Sequence, residues 1–152
     1  MKKALCAVAV LAMLGVATFF GLGLYSQTGS PPGLVAGKLQ PCPAKPNCVS
    51  SESAPSDQHA IAALELTVPP GADPMAKVRD AVKLLGGDVI QSNETYLAST
   101  FSSSIFGFVD DVEFRREAGG SLVHVRSASR VGYSDLNANR KRVEQIREML
   151  NP

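Results

Sequence analysis

Residues 4–24 run for 21 positions without a charge, directly behind Met1-Lys2-Lys3. As an α-helix such a run is about 32 Å long, close to the thickness of a bilayer's hydrocarbon core. The two lysines hold the N-terminus inside and send the rest of the chain across. Two readings follow: an uncleaved anchor, or a signal peptide removed after export. Leu24-Tyr25-Ser26 is a mediocre small-x-small cleavage site, which favours the anchor. Cys6 lies at the start of the run rather than behind it, so it does not fit lipoprotein acylation and reads as a small apolar helix residue. The expected location is the inner membrane facing the periplasm, or the periplasm itself. The expected organisation is anchor or signal over 1–26, a Pro/Gly linker over 27–41, and a single domain over 42–152. The linker carries Pro31-Pro32-Gly33 and no apolar periodicity, so it reads as a flexible or extended tether.

Beyond Lys2 and Lys3, 13 basic side chains face 14 acidic ones, so the exported part is near neutral and sets up no global field for nucleic acid. The charge is uneven, with Arg126, Arg130, Arg140, Lys141, Arg142 and Arg147 against Asp135, Glu144 and Glu148 at the C-terminal end.

Cys42-Pro43-Ala44-Lys45-Pro46-Asn47-Cys48 opens the domain. In an exported chain two cysteines this close read as a disulfide, with two prolines restricting the loop beforehand. Free thiols, or metal or redox chemistry, remain as alternatives. The spacing is not Cys-x-x-Cys and there is no second pair, so no metal site and no cofactor are expected.

Ala62, Leu64, Leu66 and Val68 alternate with polar or small residues as a half-buried strand does, and Pro69-Pro70-Gly71 ends it. Asp73-Pro74 opens a helix whose apolar face is Met75, Val78, Ala81, Val82 and Leu85, and Gly86-Gly87 stops it. Strands are expected over 88–91 and 95–101, joined by a turn at Ser92-Asn93-Glu94. Asn93-Glu94-Thr95 also matches a glycosylation sequon, but reads better as that turn. A hairpin follows, 108–116 with 121–129, around Glu117-Ala118-Gly119-Gly120. The last helix runs over about 136–150, capped by Ser134 or Asp135, with Val143, Ile146, Met149 and Leu150 buried. The fold class is α+β: an antiparallel sheet of about five strands with two helices covering one face, in the order β-α-β-β-β-β-α. The chain is too short for a dinucleotide fold, and no glycine fingerprint follows a strand.

A hairpin centred on Gly119-Gly120 places Glu113 opposite Arg126 with Asp111 diagonal to it. A four-residue loop would instead place Asp111 opposite Arg126. Both registers keep Val112, Phe114, Val123 and Val125 on one face and Asp111, Glu113, His124 and Arg126 on the other. Arg130, Tyr133 and Arg140 continue toward the same end. Arg126, Arg130, Tyr133, Arg140, Asp111 and Glu113 are therefore the candidate ligand residues. Their plainest role is a salt-bridge lattice pinning the last helix to the sheet, since arginine forks onto carboxylates. An anion site is the functional alternative. Asp110 and Asp111 point to opposite faces and cannot act as a catalytic pair, and His59 and His124 have no evident serine or cysteine partner, so no catalytic residue is assigned. Ser102-Ser103-Ser104-Ile105-Phe106-Gly107 joins two strands. Ile105 and Phe106 are expected to plug one end of the core, or else to lie exposed toward lipid, a ligand or a partner.

Four stretches occur in order: Cys42-Pro43-x-x-Pro46-Asn47-Cys48-Val49-Ser50-Ser51; Phe108-Val109-Asp110-Asp111-Val112-Glu113-Phe114; Arg126-Ser127-Ala128-Ser129-Arg130-Val131-Gly132-Tyr133-Ser134-Asp135-Leu136; and Asn139-Arg140-Lys141-Arg142-Val143. Together, over roughly residues 42–150, they resemble domain-of-unknown-function family 1499. The resemblance implies a bacterial envelope or plastid-type protein with one domain, and it supports pairing of Cys42 with Cys48. It implies no activity, substrate or cofactor. The residues favour a noncatalytic binding module at the membrane, attached by the N-terminal helix. Its expected partner is anionic: a lipid headgroup, a cell-wall acid or an acidic protein patch. The competing classes are a small envelope enzyme using Asp111 or Glu113 as acid or base, with arginines holding an anionic substrate, and a purely structural envelope protein.

Overall fold

The computed structural model describes residues 1–67, 73–117 and 119–151. Val68, the Pro69-Pro70-Gly71 stop and Ala118 of the hairpin turn lie outside the described residues. Helix α1 (Lys2–Gln27) is followed by β1 (Leu34–Val35), β2 (Lys38–Leu39), β3 (Cys48–Ser50) and β4 (Leu64–Glu65). Then come α2 (Pro74–Leu84), β5 (Asp88–Ser92), β6 (Tyr96–Ser102), β7 (Val109–Arg116), β8 (Leu122–Ser129) and α3 (Ala138–Leu150). Strands β1 and β2 pair with each other, and the rest form an antiparallel sheet in the order β3-β8-β7-β6-β5. β4 shares the outer edge of β8 with β3, the two lying end to end.

The alternation in β6, β7 and β8 divides the sheet into two unlike faces. Leu97, Phe101, Val112, Phe114, Val123 and Val125 form one, packed with Val49, Leu64 and the buried stripes of α2 and α3. Burial of this apolar surface is the main term holding the domain together. α2 begins as its sequence dictates: Asp73 Oδ1 accepts the Met75 N–H at 2.9 Å. It ends with Gly86 at φ +83°, the left-handed conformation, where the N–H groups of Gly86 and Gly87 bond Lys83 O and Val82 O. Gly87 has a second reason to lack a side chain, because a Cβ there would stand 2.5 Å from the Phe101 ring.

Three details depart from the expected fold. The sheet gains β3, whose three residues are too few to show an alternation. In α3 the buried stripe is Asn139, Val143, Ile146 and Leu150, while Met149 is exposed. That stripe steps by four, three and four residues, which leaves Met149 on its flank. The expected tether over 27–41 carries the β1–β2 hairpin, which lies against the second face of the sheet and buries Leu39 with Tyr96 and Ala98.

Cys42 and Cys48 are joined by a disulfide, with Cα atoms 5.7 Å apart, an ordinary span for that bond. It ties the end of the N-terminal hairpin to the sheet edge. Closing so short a loop stabilises by about 2 kcal/mol in the chain-entropy model. Unreduced protein treated with an alkylating reagent should carry no label on Cys42 or Cys48 by mass spectrometry. Labelling of both without reductant would contradict the bond.

Candidate functional site

The second face of the sheet is polar, and register explains how it is assembled. β7 and β8 pair Glu113 with Arg126 and Asp111 with Ala128, so the hairpin is centred on Gly119-Gly120. Gly119 takes φ +73°, which a glycine adopts without steric cost. Arg126 Nη1 donates to Glu113 Oε2 at 3.3 Å, the pairing that the hairpin register anticipates. One step along, Arg130 grips Asp111 with a fork: Nε at 3.1 and 3.0 Å from the two oxygens, Nη2 at 2.7 Å from Oδ1. On the other side of Glu113, Arg115 donates from Nε to Glu52 Oε1 at 2.7 Å.

Each of these three pairs also holds the backbone of the segment that leaves α1. Arg130 Nη1 donates to Ser26 O at 3.0 Å. Glu113 Oε1 accepts the Gly33 N–H at 2.8 Å. Glu52 Oε2 accepts the Leu39 N–H at 2.8 Å. The lattice is therefore a three-rung clamp on residues 26–39, laid across the sheet face that the helices do not cover. The pinning of α3 expected from the sequence is done on the other face by Arg142, which donates to Asp110 Oδ2 at 2.7 Å and lies over the Phe101 ring.

Glu113 is the centre of the clamp and is fully buried. Burial pushes its carboxyl pKa up, and Asp111 adds to the rise. The Tyr96 hydroxyl, the Arg126 charge and the Gly33 N–H pull against it. Tyr96 O–H donates to Glu113 Oε1 at 2.6 Å, and burial together with this acceptor pushes the phenol up as well. Arg126 Nε is buried with no hydrogen-bond partner among the described residues. A carboxyl with no exposed surface, roofed by Gly33, cannot reach a substrate proton. Its perturbed titration is a consequence of structural burial.

The remaining candidates do not join this cluster. Tyr133 is 72 % exposed. Arg140 sits at the β3 edge, donating to Ala60 O at 3.0 Å and Gln58 O at 3.1 Å. There it lines a cavity of about 200 Å³ with Pro46, Gln58, His59, Asp135 and Asn137. Both ring nitrogens of His59 are engaged, Nδ1 with Asp57 Oδ1 at 2.7 Å and Nε2 with Lys45 O at 3.1 Å. The His59 backbone N–H and ring hold the Asp57 carboxyl below its usual range.

Sequence reasoning missed Glu52, Arg115 and Tyr96 of the clamp, and one contact outside it. His124 Nδ1 lies 3.3 Å from Ser51 Oγ, and its Nε2 lies 3.1 Å from Glu117 Oε1. The three come from positions 51, 117 and 124, and only the pairing of β8 with the β3 edge brings Ser51 to His124. Ser51 Oγ accepts the Val125 N–H at 2.9 Å, so it is tied into the edge of the sheet. The contact therefore reads as a strand-edge brace. Among the described residues, no group of three or more His, Cys, Asp or Glu is placed to hold a metal ion.

Comparison with curated proteins finds no match. Comparison with protein families matches residues 38–150 to "Protein of unknown function (DUF1499)". That stretch holds the disulfide, all three carboxylates of the clamp and their arginines. It covers most of the 152 residues, and the chain belongs to the DUF1499 family.

Proposed function

We propose that the protein is a noncatalytic interaction module, held at the far face of the membrane by α1, that takes an anionic ligand at the β3-edge cavity. One observation carries this reading. Of the candidate arginines, Arg126 and Arg130 are neutralised by Glu113 and Asp111, whereas Arg140 has no carboxylate within 4 Å among the described residues. Its two hydrogen bonds go to carbonyl oxygens and leave further N–H groups of the fork available. Asp135 shares the cavity, but its oxygens are engaged by the N–H groups of Asn137 and Asn139 at the start of α3. The enzyme reading loses support because Asp111 and Glu113 are both spent in the clamp. The compartment remains the periplasmic side of an inner membrane in this reading, which the disulfide favours.

The test is titration of the full chain, in nanodiscs of neutral lipid, with inorganic phosphate and with a small dicarboxylate. Perturbation of the Arg140 side-chain resonances reports binding. The expected result is a saturable response to one of these anions. Arg140→Gln should weaken it about tenfold or more, as loss of one charge-assisted hydrogen bond implies. An unsaturable response, or one unchanged in Arg140→Gln, would refute the anion site.

A further inference from the structure

We propose that the loop over 103–108, between β6 and β7, is a second membrane contact that seats this end of the sheet in the bilayer surface beside α1. The inference rests on α1 remaining in the mature protein as a membrane helix. α1 has a mean hydropathy of 2.4 over its best window and buries none of that window against the domain. Its last turns do touch the domain, and they touch this loop. Gly23 is so close that a Cβ there would stand 1.7 Å from Phe106 O. Ser26 Oγ lies 3.4 Å from Gly107 O and accepts the Val109 N–H at 3.1 Å. Gln27 Nε2 donates to Gly107 O at 3.3 Å.

The depth of the contact is what points to lipid. The Phe106 ring lies 5.3 Å from Phe19 and 5.2 Å from Phe20, and Phe19 lies 6.2 Å from Phe108. Phe19 is five residues short of Leu24, where the apolar stretch of α1 gives way to Tyr25-Ser26-Gln27, roughly 7 Å down the helix axis. The Phe106 ring therefore reaches below the last apolar turn of α1 while its backbone lies level with Gly23, the depth of an interfacially immersed segment. Ile105, at its tip, is 71 % exposed and belongs to no core cluster. The expected plug of the core is thus contradicted: the loop closes on itself and turns its apolar residues to α1 and outward.

The base of the loop pairs its own backbone groups, which is favourable where an unpaired N–H or C=O is costly. The Ser103 N–H donates to Phe108 O at 2.8 Å, and Gly107 N–H to Ser103 O at 3.0 Å. The Phe108 N–H donates to Ser103 Oγ at 2.9 Å. Gly107 O is covered by the side chains at the end of α1. Tyr25, 69 % exposed beside this contact, is a residue type enriched at the membrane interface.

The chain contains no Trp, so single tryptophans can report depth in the full-length protein reconstituted in phosphatidylcholine vesicles. Ile105→Trp probes the loop and Val10→Trp the middle of α1. Glu94→Trp probes the exposed turn at the opposite end of β6, a strand roughly 20 Å long. The proposal expects Ile105→Trp and Val10→Trp to be quenched by brominated lipid and shielded from aqueous iodide, with Glu94→Trp several-fold more iodide-sensitive. An Ile105→Trp that iodide quenches like Glu94→Trp, while Val10→Trp stays shielded, overturns the loop contact and leaves the anchor standing. If Val10→Trp is also open to iodide, the anchor reading fails and the loop contact fails with it. Shielding of Ile105→Trp that disappears on dilution into excess lipid would mean a second copy covers the loop, and would overturn the proposal.

Discussion

Glu113→Ala should lower the stability of the folded protein by about 3–5 kcal/mol, the usual result of removing one partner from a buried ion pair. For a domain of this size the thermal midpoint should fall on the order of 15 °C. The effect is large because three groups lose their acceptor together: Tyr96 O–H, Gly33 N–H and Arg126 Nη1. Arg126, whose buried Nε already has no partner among the described residues, would then be an uncompensated buried cation. Glu113→Gln should cost less, because one amide oxygen still accepts from Tyr96 and Gly33. It should also change the pH dependence. Burial raises the folded-state pKa of Glu113 above its unfolded value, so the fold binds this proton more tightly than the unfolded chain does. Its contribution to stability is full below the unfolded carboxyl pKa, near 4.3, and is lost as pH rises through the folded pKa. Asp57 works with the opposite sign, since its pKa is lowered in the fold. It is unchanged in the Gln variant, so the difference between the two midpoint–pH profiles isolates Glu113. Glu113→Gln should lose less stability than wild type as pH rises from about 4. Parallel profiles would contradict the assignment.

Arg130→Met should be comparably damaging, by about 3–5 kcal/mol, because Asp111 is buried and would keep its charge without its fork. The same change frees Ser26 O at the exit of α1. Residues 28–37 should therefore become sensitive to dilute protease in Arg130→Met. Arg130→Lys should fall between, since an ammonium cannot make the bidentate contact. A methionine variant as stable and as protease-resistant as wild type would show that the clamp adds nothing.

The parts of this molecule legible in its sequence are those with a local period. The alternation in residues 109–116 and 122–129 fixes which side chains share a face. The two glycines of the turn then set the register that brings Glu113 to Arg126. The stripes of α2 and α3 are likewise written at helical spacing, apart from Asn139, whose amide fills a buried position by bonding Ser127, Ser129 and Asn47. What was not legible depends on contacts across long stretches of chain. Residues 27–41 show no periodicity, and their order comes from side chains 13 and 80 positions away. Arg126, Arg130, Asp111 and Glu113 were visible as a cluster, but Arg115 and Glu52 were not, and neither was the target, because a backbone N–H or C=O has no sequence signature. For the same reason Arg140, read as part of the cluster, stands apart from it at the β3 edge, and Ser51 was not seen as a neighbour of His124. Phe106 reads as a core residue until α1 is present to receive it.

The arginine–carboxylate lattice is a clamp on the segment leaving α1. Amide hydrogen exchange on the full chain in nanodiscs tests it most directly. The Gly33 and Leu39 amides donate only to Glu113 and Glu52 side chains among the described residues. Both should exchange far more slowly than an unstructured peptide, and Gly33 should lose its protection in Glu113→Ala while the β7–β8 amides remain protected. Gly33 and Leu39 amides that exchange at unstructured rates in the wild-type protein would contradict it, and would return residues 27–41 to the status of a free tether.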